Sequence, residues 1–167
     1  KIIKSGLYKK VILAGAFPNS ISNLDYRISA TDSYNPKKVF KKQFTKSIEI
    51  IIASGATPYI INDNPTYKKE VHKCGILNER FNLTQNCNMP IAEYRNQVSD
   101  WMEFVEYLQK QFPQLNFINP NDIICDDKKC VTEIDEIPLY RDSTHLNQIG
   151  SRLIGKKYLE KLGNPLI

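Results

Sequence analysis

Apolar and polar positions alternate along this chain in blocks that read as strands and helices in turn. Val11-Ile12-Leu13-Ala14 is a continuous apolar run, entered from Lys9-Lys10 and left through Gly15, which suits a buried strand of a parallel sheet. Residues 16–35 are polar and aromatic without a period and read as a long loop. Pro36 suits the first turn of a helix. Val39, Phe40, Phe44, Ile48, Ile51 and Ile52 then recur at helical spacing, with Gly55 as the stop. Residues 57–62 form a second strand that ends in the turn-rich Asn62-Asp63-Asn64-Pro65.

Residues 66–90 show no period and read as an irregular insert, the kind of long loop that carries function or a covalent tether. The clearest helix covers 91–112. Val98, Met102, Val105 and Leu108 make one stripe, Trp101 and Phe104 broaden it, and Pro113 ends it. A third strand covers 115–119 before Pro120, followed by a tight excursion at 122–130, a short β segment at 131–134 and a final helix at 146–162.

Strand–helix alternation of this order predicts an α/β fold: a three-layer sandwich with a central parallel sheet flanked by helices. At 167 residues it is most simply a single domain, 1–167, long enough to bury a core. In such sheets chemistry collects beyond the carboxyl ends of the strands. The segments after Leu13, Ile61 and Ile118 and the turn before the last helix are expected on or near that side.

Composition narrows the field. The net charge of +5 comes from scattered lysines such as Lys37, Lys38, Lys41 and Lys42. There is no Arg-rich stripe and no aromatic signature of RNA binding, so nucleic acid is not an expected partner. No run approaches the roughly 18 apolar residues of a membrane span, and Lys1-Ile2-Ile3-Lys4 does not open a signal peptide. The absent initiator Met suggests a fragment or processed piece.

The four cysteines, Cys74, Cys87, Cys125 and Cys130, fall into two local pairs. That arrangement fits two disulfides formed in an oxidising compartment. Reduced core thiols and a zinc site are the alternatives, the latter with His72 as the nearby histidine. Zinc is the weaker reading, since neither pair has the C-x₂-C spacing.

The candidate chemistry lies in Leu139-Tyr140-Arg141-Asp142-Ser143-Thr144-His145-Leu146. Of the two histidines, His145 has a carboxylate three residues before it. On a strand-to-helix turn such a carboxylate can accept one imidazole N–H and leave the other nitrogen as a general base. The structural reading is that Asp142 or Ser143 caps the last helix and His145 sits in its first turn.

Together these stretches resemble a known family. Asp122-Ile123-Ile124-Cys125 with Cys130, the Leu139–Leu146 octapeptide and Gly150 are similar to the C-terminal part of an SGNH-type (GDSL-like) hydrolase domain. The likeness is to the variety fused behind the membrane half of bacterial acyltransferase-3 family O-acyltransferases. Val11-Ile12-Leu13-Ala14-Gly15 resembles an earlier strand of that fold.

The resemblance implies a Ser-His-Asp site with His145 as general base, Asp142 as its orienter and no cofactor. The implied reaction is transfer or hydrolysis of an acyl group, typically acetyl, on a cell-surface glycan. The implied setting is the bacterial periplasm or the outer face of the cell membrane, with a membrane-embedded acyltransferase domain as partner. Gly-Asp-Ser, the family's nucleophile block, does not occur in these residues; Ser5 follows no proper strand and Ser54 falls within a helix. The expectation is that the first strand, the nucleophile and the following helix lie upstream of Lys1. Phe17 stands where many SGNH hydrolases carry an oxyanion-hole Asn, and the fused variety often has an aromatic there. The alternatives are a glycan- or partner-binding module that kept the fold without catalysis, and a metal protein using His72, Cys74, Cys87 or His145.

Overall fold

A computed structural model describes residues 6–22 and 35–167 of the chain. The elements run β1 (Lys10–Ala14), α1 (Phe17–Ser22), α2 (Pro36–Ala53), β2 (Thr57–Ile61), α3 (Val71–Phe81) and β3 (Met89–Pro90). Then follow α4 (Ile91–Gln111), β4 (Asn116–Ile118), α5 (Asn121–Ile124), β5 (Lys129–Cys130), β6 (Glu133–Ile134), β7 (Ile137–Pro138) and α6 (Gln148–Leu162). They form two compact units, Lys1–Asp63 with Gln97–Ile118, and Asn64–Asn96 with Asn119–Ile167.

The first unit holds a parallel three-stranded sheet in the order β1-β2-β4, with Ile12 opposite Tyr59 and Tyr59 opposite Asn116. The fold is therefore mixed α/β around a parallel sheet. The central strand β2 is sealed in, with Tyr59 and Ile60 buried. The continuous apolar run at β1 predicts a buried strand, yet β1 has one strand neighbour among the described residues and Ile12 is 44% exposed. A strand needs cover on both faces for every side chain to be buried, and here alternate positions are open.

Helix α2 starts where Asn35 Oδ1 accepts the Lys38 amide at 3.0 Å and Pro36 takes the first turn. It stops at Gly55, whose φ of +79° lies in the left-handed region that glycine adopts without a Cβ penalty. Phe44, Ile48 and Ile51 bury one face of α2, and Trp101, Phe104, Val105 and Leu108 one face of α4, as their spacing predicts. Trp101 is fully buried, and its indole N–H donates to Asn62 Oδ1 at 3.1 Å.

The supposed loop at 16–35 starts as a helix, α1; the part at 23–34 lies outside the described residues. Phe17 on α1 packs within 5.0 Å of the Phe44 ring and 5.1 Å of the Trp101 indole. Contact with the aromatic core sets this segment's conformation, which periodicity could not reveal over six residues.

In the second unit the supposed irregular insert contains α3. A disulfide from Cys74 to Cys87 pins it, and Asn78 brackets Gln85 with bonds of 2.8 and 3.0 Å. Cys125 and Cys130 form the other disulfide, closing the excursion after α5. β3 pairs antiparallel with β5 through Met89 and Cys130. The β segment read at 131–134 is one arm of a β6–β7 hairpin, whose turn residues Asp135 and Glu136 have φ of 52° and 63°. Among the described residues no helix is long and apolar enough to cross a membrane.

Candidate active site

The Asp142–His145 turn is a closed loop rather than the start of a helix. Tyr140 and Leu146 form an antiparallel bridge across its base, and the Arg141 amide donates to the His145 carbonyl at 2.9 Å. The Asn147 amide donates to Leu139 O at 2.8 Å, tying the exit to a buried residue. α6 begins only after this closure, with Asn147 Oδ1 accepting the Gly150 amide at 2.7 Å. Neither Asp142 nor Ser143 caps it, and His145 is outside its first turn. The chain needs glycine at 150: a Cβ there would collide with the Leu139 backbone, at its O and Cα atoms.

Relieved of capping, Asp142 organises its own turn. Its Oδ1 accepts the amides of Thr144 at 2.8 Å and His145 at 2.7 Å, the short-range pattern to which Asp is suited. The Thr144 hydroxyl donates to the same oxygen at 3.1 Å. His145 Nδ1 lies 2.9 Å from Asp142 Oδ2 and 3.1 Å from Oδ1. Arg141 Nε approaches Oδ2 at 3.5 Å.

These bonds hold the Asp142 carboxyl well below its ordinary range, chiefly through the Thr144 and His145 backbone N–H groups. Ionised, the carboxylate only accepts, so Nδ1 carries the proton toward it and Nε2 keeps the lone pair. The His145 side chain is 62% exposed and Nε2 has no hydrogen-bond partner among the described residues.

Spacing alone did not single out the residues that brace the turn. The Tyr67 amide donates to Ser143 O at 2.8 Å, and Asn64 Nδ2 to Thr144 O at 2.7 Å. Thr144 is braced on both sides, by Asn64 through its carbonyl and by Asp142 through its amide and hydroxyl. The available signal was the Asp-Ser-Thr run itself, typical of side-chain-stabilised turns. Beside the turn, Arg141 and Tyr140 help line a cavity of about 870 Å³ with His72, Asn88, Glu133 and Glu136.

Both cysteine pairs are oxidised as read, so they offer no thiolates to a metal. No group of three or more His, Cys, Asp or Glu side chains among the described residues is placed to hold an ion. Ser54 stands at the C-cap of α2 rather than inside it, its hydroxyl donating to Ile51 O at 2.7 Å, and Ser5 lies outside the described residues. The Phe17 ring belongs to the aromatic core and its amide donates to Gly15 O at 2.8 Å.

The model of the family described as "SGNH domain (fused to AT3 domains)" matches residues 1–160. The chain belongs to that family. Among solved structures, this SGNH domain is similar to the periplasmic domain of the lipopolysaccharide acetyltransferase of Salmonella ser. Paratyphi A, with a TM-score of 0.60 and 17% identity. That match takes in 93% of this chain and 57% of the other. At this identity it establishes the fold, a parallel-sheet α/β arrangement of the SGNH hydrolase kind. No curated protein matches.

Proposed function

We propose that this SGNH domain carries the acid–base half of an extracytoplasmic O-acyltransferase or esterase, with His145 as general base and Asp142 as its orienter. The observation that carries the reading is the 2.9 Å contact between Asp142 Oδ2 and His145 Nδ1 on an exposed, internally braced turn. Family membership and the two disulfides support an oxidising setting outside the cytoplasm, and a membrane acyltransferase domain as partner. The substrate class is an acyl ester, typically acetyl, on a cell-surface glycan.

The chemistry follows from the pair. Nε2 removes the proton of a serine hydroxyl as its oxygen attacks the acyl carbonyl. The imidazolium so formed is held by the Asp142 carboxylate and returns the proton to the leaving oxygen. The family's Gly-Asp-Ser block does not occur in this sequence, so the reading assigns roles to Asp142 and His145 alone.

The test is turnover of a short acyl ester, and acetyl transfer to glycan, by the full-length gene product. His145→Ala is expected to lower the rate by about 10⁶-fold, and Asp142→Asn by about 10⁴-fold with the fold intact. Unchanged rates in both variants overturn the assignment. The absent Gly-Asp-Ser favours a second reading, a non-catalytic module that binds glycan. Retained glycan binding by a full-length protein without turnover would establish that reading instead.

A further inference from the structure

Two peptide units hold the Asp142 carboxylate, and both are held in turn by one short segment upstream. The peptide joining Ser143 to Thr144 donates its N–H to Asp142 Oδ1 at 2.8 Å, and its carbonyl accepts the Tyr67 amide at 2.8 Å. The peptide joining Thr144 to His145 donates to the same oxygen at 2.7 Å, and its carbonyl accepts Asn64 Nδ2 at 2.7 Å. Each series of bonds thus runs from an outer donor, through a carbonyl and its amide, to the carboxylate. A peptide whose carbonyl accepts a hydrogen bond is polarised, and its N–H becomes the stronger donor.

The segment that supplies the outer donors is itself fixed. Pro65 is fully buried and its ring locks φ, while Tyr67 is buried with its ring edge-on to Tyr140, centroids 5.0 Å apart. Tyr67 acts through a backbone N–H that any residue except proline supplies. Asn64 acts through its side chain, so the residue type at 64 decides whether the bond exists. A longer contact of 3.3 Å to Pro65 O steadies the same amide.

We propose that Asn64 is a positioning residue of the Asp142–His145 pair. It acts through the Thr144–His145 peptide, which both carries the imidazole and supplies one of the two amides on the carboxylate. For its effect on Asp142 the inference rests on these hydrogen bonds alone; for its effect on turnover it rests on the acyl chemistry proposed above. The charged groups around Asp142 are Arg141, His145 and Glu70. Replacing Asn64 alters none of them, so a moved Asp142 titration reports the amide bonds.

The experiment uses Asn64→Leu, which keeps the size and drops the donor, and Asn64→Ser, whose hydroxyl is one bond short of the Thr144 carbonyl. In the 167-residue chain, the titration midpoint of the Asp142 carboxyl ¹³C resonance is expected to rise toward the ordinary carboxylate value in both variants. In the full-length gene product, kcat for a short acyl ester is expected to fall about tenfold with KM held, roughly the worth of one hydrogen bond. Midpoints unchanged in both variants overturn the inference. So does an unchanged kcat in both variants of a protein that His145→Ala inactivates. Turnover indifferent to His145→Ala overturns the acyl reading instead, and the carboxyl midpoint alone then decides the role of Asn64.

Discussion

Asn147 Oδ1 accepts the Gly150 amide at 2.7 Å, which makes Asn147, and not Asp142, the side chain that starts α6. Asp142 is thereby left to bind Thr144 and His145. Asn147 also donates to Pro138 O at 2.6 Å, so one amide fixes both the helix start and the strand that feeds the turn. Asn147→Ala should cost about 1 kcal/mol of stability. Gly150→Ala should cost more, up to about 3 kcal/mol, because its methyl meets Leu139 backbone and no flexible side chain. Urea denaturation of the two variants checks the order.

The acid behaviour of the turn follows from Asp142. Its folded pKa is depressed, so the stability its bonds contribute is complete above the ordinary carboxylate value near 3.9 and is lost as pH falls through the lower folded value. The side-chain carboxyl ¹³C resonance of Asp142 should therefore show its own protonation step only below roughly pH 4. A midpoint at or above the ordinary value would contradict the hydrogen-bonding described here. Loss of ester turnover above about pH 4 has to come from a group other than Asp142.

The disulfides should contribute unequally. Cys74–Cys87 closes a sequence separation of 13 and Cys125–Cys130 one of 5. Chain-entropy arithmetic gives about 3 kcal/mol for the first and about 2 kcal/mol for the second. Paired Cys→Ser variants, compared by denaturation under oxidising conditions, test this. The unaltered chain should show no reactive thiol after unfolding.

In the first unit, Asn62 is a buried polar residue with a specific task. It accepts the Trp101 indole N–H at 3.1 Å, and its own amide donates to Ile118 O at 2.8 Å. Asn62→Leu keeps the backbone bond and strands the indole donor, which should cost about 1–3 kcal/mol. Shifted Trp101 emission should accompany the loss.

The long periodic elements were legible because burial wrote itself into their sequences. Trp101, Phe104, Val105 and Leu108 repeat at the helical period because they face one core, and Pro36 and Gly55 bracket α2 for backbone reasons. α3 was not legible, since a disulfide and an amide bracket hold it and one buried residue gives no stripe to read. β1 read as a buried strand because four apolar residues in a row do not reveal how many neighbours a strand has. The Asp142–His145 spacing allows the two side chains to meet, and they do at 2.9 Å. The bracing of their turn by Asn64 and Tyr67 depends on contacts some 75 to 80 residues apart, which no local pattern encodes.

The most direct test is the protonation of one ring nitrogen. With two histidines in the chain, a ¹⁵N–¹H imidazole spectrum with His72→Gln as the assignment control isolates His145. In the neutral ring the expected result is a proton on Nδ1 and a free lone pair on Nε2, with Asp142→Asn eroding that preference. A neutral His145 protonated on Nε2, unchanged by Asp142→Asn, would contradict the assignment of this pair as a general base and its orienter.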